Sequence, residues 1–246
     1  MTGLEFTGER FVPDKSPARL ESQHRSRYEF AIRHISDRDV LDVGCGEGYG
    51  SYMMIGAAKS VMGVDISKTA IEHAQKMYES TELHYQVADV AKLPFEDNKF
   101  TAGVCFEVIE HIENPEDLLK EAERVIGPKG LFIVSTPNGA VRRSSQKNRF
   151  HVKEFNIREF KGMLEKQFPK NKWYVTIYGQ FEVGKKYSQA GVLLKNIYLG
   201  VKSVLGIKPK KEQIKQSGKG GGVQYEFSTE NAELAEYLVA IVRCRE

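Results

Sequence analysis

Two hydrophobic rhythms alternate along the chain. Short apolar runs stand at 40–43, 60–64, 83–87, 101–106, 130–136, 173–180 and 237–244. Each is bounded by turn residues and too short for an ordinary helix, so each reads as a strand. Between them apolar residues recur every three or four positions. Leu20, Tyr28, Ala31, Ile32 and Ile35 share one face over 19–35, and 69–78 is amphipathic in the same way. Ser67 and Asn156 stand where N-caps belong, before 69–78 and 157–168. Gly127-Pro128 stops the helix that carries Glu121, Arg124 and Val125. This alternation predicts an α/β fold with a mostly parallel sheet and helices on both faces. In such sheets ligands bind beyond the carboxyl ends of the strands.

The first strand ends abruptly. Residues 40–50 read V-L-D-V-G-C-G-E-G-Y-G, with glycines at 44, 46, 48 and 50. Glycines there let the chain turn sharply and let a ligand approach the main chain. A helix starting near Tyr49 would present its free N–H groups to the same ligand. A dinucleotide fingerprint needs G-x-G-x-x-G; Gly44 and Gly46 fit, but the third position is Tyr49, which argues against a nicotinamide enzyme. Asp65, about 20 positions beyond the loop at the end of the second strand, suits hydrogen bonds from ribose hydroxyls.

Asp42 followed by G-C-G-E-G resembles motif I of the class I S-adenosylmethionine-dependent methyltransferases. Gly63-Val64-Asp65-Ile66-Ser67 resembles the family's second motif, and the likeness continues through Ala88-Asp89-Val90 and Phe106-Glu107-Val108-Ile109-Glu110-His111. It covers about 4–180 and the last strand. It implies a Rossmann-like sheet of seven strands, the last antiparallel beside the sixth. It also implies S-adenosylmethionine as cofactor and S-adenosylhomocysteine as product. On this resemblance the backbone of Gly44, Cys45, Gly46 and Gly48 packs against the methionine part, and Asp42 orders the loop. Asp65 takes the ribose, Asp89 the adenine amino group, and Val90 lies beside the ring. Ile66 and Glu107 complete the cofactor set. Gly8-Glu9-Arg10-Phe11-Val12-Pro13 and His24-Arg25-Ser26-Arg27-Tyr28 resemble the N-terminal stretch of methyltransferases of bacterial polysaccharide synthesis. That likeness implies a segment covering the pocket, with Arg27 on the methionine carboxylate and Tyr28 beside it.

The chemistry-bearing residues follow the fourth strand. If a helical turn begins there, Glu107, Glu110 and His111 fall at i, i+3 and i+4 on one face. A neutral imidazole at His111 can take the proton of a hydroxyl that attacks the methyl group. His111, Glu110 and His151 are therefore the catalytic candidates; the plainer alternative is that Glu110 and His111 cap and solvate a helix end. The same spacing also resembles two groups in which two glutamates and two histidines hold a divalent ion. These are the ubiquinone-pathway O-methyltransferases and the small-RNA terminal 2′-O-methyltransferases. Glu107, Glu110, His111 and His151 would be the ligands. Because E-x-x-E-H also occurs in methyltransferases without metal, a metal-free site is expected. Asn138, with Arg142 and Arg143 of the basic run that continues to Arg149, stands at the substrate mouth, where the arginines could bind a phosphate or pyrophosphate.

Composition narrows the partners. A net charge of +3 carries no global signal for nucleic acid, so none is expected as a partner. Three cysteines make no disulfide framework, which suits a reducing cytoplasm. The start has no apolar h-region, so no signal peptide is expected. The expected organisation is a covering segment over 1–36, a methyltransferase core over 37–182 and 232–246, and an insertion over 183–231 with a glycine-rich linker at 218–222. Within 188–211, Ala190, Leu193, Leu194, Ile197, Val201, Val204 and Leu205 recur at helical spacing among lysines. This is either a lid over the acceptor pocket or a basic amphipathic helix on an anionic membrane surface. The second option would place a cytoplasmic enzyme at the inner face of the membrane. The expected reaction is O-methylation of a sugar or phosphosugar hydroxyl in polysaccharide or glycolipid assembly, so the expected partner is a small-molecule or glycan acceptor. The alternatives are a metal-assisted RNA 2′-O-methyltransferase and a non-catalytic cofactor-binding regulator. The motifs fix neither the acceptor nor the oligomeric state.

Overall fold

The computed structural model describes residues 16–141, 148–184 and 223–245. Arg142, Arg143, the 8–13 stretch and the 188–211 segment lie outside the described residues. Helix α1 (Ala18–Ile32) precedes the sheet. Then β1 (Asp39–Val43), α2 (Tyr49–Met54), β2 (Ser60–Asp65), α3 (Lys68–Met77) and β3 (Leu83–Val87) alternate. They are followed by β4 (Ala102–Phe106), a short 3-10 turn (Ile109–His111), α4 (Pro115–Ile126), β5 (Leu131–Pro137), α5 (Ile157–Gln167) and β6 (Trp173–Glu182). Strands β7 (Tyr225–Ser228) and β8 (Tyr237–Cys244) close the described chain.

The strands form one sheet in the order β3-β2-β1-β4-β5-β8-β6-β7. The first five run parallel, and β8 lies between β5 and β6, antiparallel to both. The α/β class and the antiparallel return beside β6 are therefore as the sequence predicts. The strand count differs: there are eight strands among the described residues, because 225–228, assigned above to the insertion, pairs with β6. Four residues are too few for a periodic signal. What recruits them is tertiary: Phe227 stacks on Phe30 of α1 at 4.4 Å between centroids.

Residue alternation along the strands builds a core on each face. Leu41 and Val43 of β1 pack with Leu118, Val125, Phe160 and Leu164 of α4 and α5. Val40 packs on the opposite face with Phe30, Met54, Ile71 and Ala74 of α1, α2 and α3. Local signals set the helix ends. Ser67 accepts the Ala70 N–H at the start of α3, and Asn156 and Glu159 form a capping box at the start of α5. Gly127 ends α4 at φ 75°. Arg124 of α4 ties down the crossing from β3 to β4, donating to the carbonyls of Phe95 (2.6 Å) and Leu93 (3.0 Å). No helix among the described residues is long and apolar enough to cross a membrane. Strand order reverses between β1 and β4, which opens a crevice at their carboxyl ends.

Candidate active site

The glycine loop lines one wall of that crevice, and its glycines divide the work. Gly44 has φ 74°, and a Cβ there would sit 2.3 Å from Val108 Cγ2, so the loop passes directly against the chain leaving β4. Gly46 has open space around it. Gly48 (φ 92°) faces inward, where a Cβ would meet Ala74 and Tyr85 within 2.7 Å; its role is close packing on α3 and β3. The Cys45 side chain is buried and its N–H donates to Val64 O (2.9 Å), so only its backbone borders the crevice.

Asp42 lies behind the loop. It is fully buried, accepting from Ser51 Oγ (2.6 Å) and from Tyr28 OH (3.3 Å). Asp42 thus orders the loop as the resemblance implies, and Tyr28, expected beside the methionine carboxylate, donates to it from beneath. Tyr28 fills the space over Gly50, where a Cβ would lie 2.0 Å from its ring. Burial pushes the Asp42 carboxyl up to about 7; nearby Asp65 adds to the rise, while the two hydroxyls pull the other way. An unfolded aspartate titrates near ~3.9, so the folded state holds an extra proton between those values. This contribution to stability therefore falls as pH rises from about 4 to about 7. Asp42→Asn is expected to flatten that part of the curve, by up to about 4 kcal/mol at the neutral end. Urea titrations of both proteins across the interval test this; parallel curves would contradict it.

Asp65 closes the wall. Its Oδ2 accepts the Gly46 N–H (3.0 Å) and its Oδ1 the Ser67 N–H (2.8 Å). The half-buried carboxylate thus locks the loop to the end of β2 and still faces the crevice. Ile66 beside it is 72% exposed, an apolar surface for a flat ring. Ala88 N–H donates to Asp65 O (3.0 Å), which brings exposed Asp89 and buried Val90 to the same edge.

The stretch after β4 departs from the expected helical face. Glu107 is left-handed (φ 58°) and the 3-10 turn begins only at Ile109, so Glu107 does not continue the helical face of Glu110 and His111. Such a conformation costs about 1–3 kcal/mol in a non-glycine residue. Ser135 of β5 holds it: Oγ donates to Glu107 Oε1 (2.7 Å) and accepts the Glu107 N–H (3.3 Å). Glu107 therefore stays outside the possible ligand group. Glu110, His111 and His151 do converge, with ligand atoms within 4.8 Å of one another. The chain at 150–153 brings His151 in, anchored by the Val152 and Lys153 N–H groups on Glu110 O. His111 Nδ1 lies 3.0 Å from Phe150 O. A carbonyl only accepts, so Nδ1 carries the proton and Nε2 is the basic nitrogen. His151 Nδ1 lies 3.1 Å from Glu154 Oε1. Glu110 is fully buried; Oε2 accepts from Thr136 Oγ1 (3.2 Å), and Oε1 has no hydrogen-bond partner among the described residues. Burial, then the neighbouring Glu107, pushes the Glu110 carboxyl well up.

Asn138 is not a substrate contact. It is fully buried, its Nδ2 donating to Glu233 O (2.9 Å) and Ala235 O (3.0 Å) while Oδ1 accepts the Ala140 N–H (3.1 Å). It ties the end of β5 to the approach to β8. Arg27 is also fully buried; Nη1 donates to Gln180 Oε1 (2.7 Å), while Nε and Nη2 have no partner among the described residues. A buried guanidinium with two donors unmet is complementary to a carboxylate.

The middle of this architecture matches a known family: residues 41–134 fit the model described as "Methyltransferase domain". Residues 41–134 thus carry a methyltransferase domain. S-adenosylmethionine is the cofactor of that family, and the glycine cradle, Asp65 and the unmet donors of Arg27 fit it. The chain is 33% identical over 168 residues to a probable S-adenosylmethionine-dependent methyltransferase of Mycolicibacterium smegmatis, covering 67% of this chain and 65% of the relative. It is 32% identical over 124 residues to the ubiquinone biosynthesis O-methyltransferase of Coxiella burnetii, covering 50% of this chain and 53% of that one. The chain thus spans less than two thirds of either relative's length. Among solved structures, the small RNA methyltransferase HEN1 superposes with a TM-score of 0.61 at 21% identity, over 91% of this chain and 25% of that one.

Sequence reading missed Ser51, Ser135, Glu154 and Gln180, which position the others. Ser135 and Gln180 have partners far away along the chain, so nothing local marks them; Ser51 and Glu154 stand nine and three residues from theirs, but no recognised motif includes them.

Proposed function

We propose that the protein transfers the methyl group of S-adenosylmethionine to a hydroxyl of a sugar or phosphosugar in polysaccharide or glycolipid assembly. The observation that carries the reaction type is His111: its tautomer is fixed by Phe150 O, so Nε2 is the basic nitrogen, in the cluster with Glu110 and His151. S-adenosylmethionine supplies an activated methyl on a sulfonium, so the chain's own task is positioning and proton removal. Arg27 holds the carboxylate end, Asp65 the ribose and Asp89 the adenine. His111 Nε2 accepts the hydroxyl proton as the oxygen attacks. The O-methyltransferase name of the Coxiella burnetii relative supports oxygen as the acceptor atom. The sugar class rests on the likeness of 8–13 and 24–28 to methyltransferases of polysaccharide synthesis.

A second reading has its own observation. Glu110, His111 and His151 offer three ligand atoms in one cluster, and Glu110 Oε1 is buried without a partner among the described residues. The Nδ1 bonds to Phe150 O and Glu154 orient both imidazoles, as outer partners of metal-bound histidines do. A divalent ion there would grip the acceptor hydroxyl directly and lower its pKa. Methyl transfer from labelled S-adenosylmethionine, assayed across nucleotide sugars, polyprenyl-linked glycans and short RNAs, tests both readings. Transfer to a glycan that survives EDTA supports the first. Loss in EDTA that Mg2+, Mn2+ or Zn2+ restores supports the second. Transfer to RNA alone would reject the sugar acceptor.

A further inference from the structure

Arg27 is held from one side only. Its Nη1 donates to Gln180 on β6, and its plane lies over the Tyr237 ring of β8, 4.7 Å from the centroid. The unmet Nε and Nη2 lie along one edge of the guanidinium, the edge that grips a carboxylate with two parallel bonds. Which way that edge faces depends on Gln180.

The Gln180 amide cannot turn over. Its Nε2 donates to Gln23 O (2.9 Å) and to Ser26 Oγ (2.7 Å). Ser26 Oγ gives its own proton to Gln23 O (2.9 Å), so only its lone pairs face the amide. A flipped amide would set oxygen against two acceptors and NH2 against the guanidinium. All four groups are buried, so each mismatch would go unrelieved by water. Oε1 is therefore locked toward Arg27. Gln180 is also neutral, and a carboxylate at the same place would pair with the guanidinium and satisfy its charge.

We infer that Gln180 is a positioning residue for cofactor binding: it aims the Nε–Nη2 edge of Arg27 at the cofactor's carboxylate and leaves the positive charge available to it. This rests on the assignment of Arg27 proposed above. Strands β6 and β8 thereby take part in cofactor recognition, although β5 stands between them and the glycine-loop side of the sheet.

Calorimetry on the full chain with two probes tests the role. One is S-adenosylhomocysteine; the other is 5′-methylthioadenosine, the same nucleoside thioether without its amino-acid part. Gln180→Leu is expected to weaken S-adenosylhomocysteine by roughly tenfold to a hundredfold, the scale of a charged hydrogen-bonded contact. It should leave 5′-methylthioadenosine unchanged, which also reports an intact fold. Gln180→Glu should show the same selective loss, because the new carboxylate occupies Arg27. Equal loss of both probes in Gln180→Leu would mean a merely structural residue and overturn the proposal. So would a Gln180→Leu protein that still prefers S-adenosylhomocysteine as wild type does, while the assignment of Arg27 would stand. If Arg27→Leu binds S-adenosylhomocysteine like wild type, that assignment falls and the positioning role falls with it.

Discussion

His111→Ala is expected to lower kcat by roughly 10²–10⁴-fold, the usual scale for loss of a general base. Affinity for S-adenosylhomocysteine should hardly change. The imidazole hydrogen-bonds to Phe150 O of the 150–153 segment, not to Asp65 or the glycine loop. Removing it does free Phe150 O, but two backbone bonds to Glu110 O still hold that segment. His111→Asn separates the two roles of the ring. Its amide can still donate to Phe150 O, yet it has no basic nitrogen. Equal loss in both variants assigns the effect to Nε2, as base or as ligand. Recovery in His111→Asn would mean that the ring only anchors the loop. A variant of either kind that turns over at the wild-type rate would remove His111 from the chemistry.

Asp65 should be nearly as sensitive, and in an unusual way. Asp65→Ala is expected to weaken S-adenosylhomocysteine by roughly tenfold to a hundredfold, since charged acceptor bonds to the ribose are lost. Asp65→Asn, ordinarily the milder change, should be about as severe. Each carboxylate oxygen already accepts a backbone N–H, from Gly46 on one side and Ser67 on the other. An amide has one oxygen, so in either orientation its NH2 meets an N–H donor. The loop holding Gly46 is then released along with the ribose contact. Calorimetry on both variants checks this. Full affinity in Asp65→Asn would show that the carboxylate is not what locks the loop.

Burial also explains why two expected contacts are structural and why Asp42 orders the loop from behind. Asp42, Tyr28 and Asn138 stand at strand ends or on the covering helix, where the sequence pattern puts ligand contacts. Their polar atoms nevertheless meet protein partners. A motif gives the distance along the chain from a strand end, but not which side of the loop a side chain occupies. The left-handed backbone at Glu107 is a similar case. It breaks the i, i+3, i+4 geometry that the E-x-x-E-H spacing suggests, and only Ser135 on another strand reveals why.

The sequence by itself determined the class of fold, the strand ends that form the crevice, the helix caps at Ser67 and Asn156, and the sharp turn of the glycine loop. These follow from short-range rules: side-chain period, capping chemistry and the backbone freedom of glycine. Tertiary structure alone decided the eighth strand, the route by which His151 reaches Glu110 and His111 as the resemblance implies, and the lock of Gln180 on Arg27. Each of these joins residues distant in sequence: Phe227 reaches back to Phe30, His151 to Glu110 and Gln180 to Arg27. No local pattern encodes such pairs, because a buried polar group accepts whichever partner the packed chain brings within hydrogen-bonding distance.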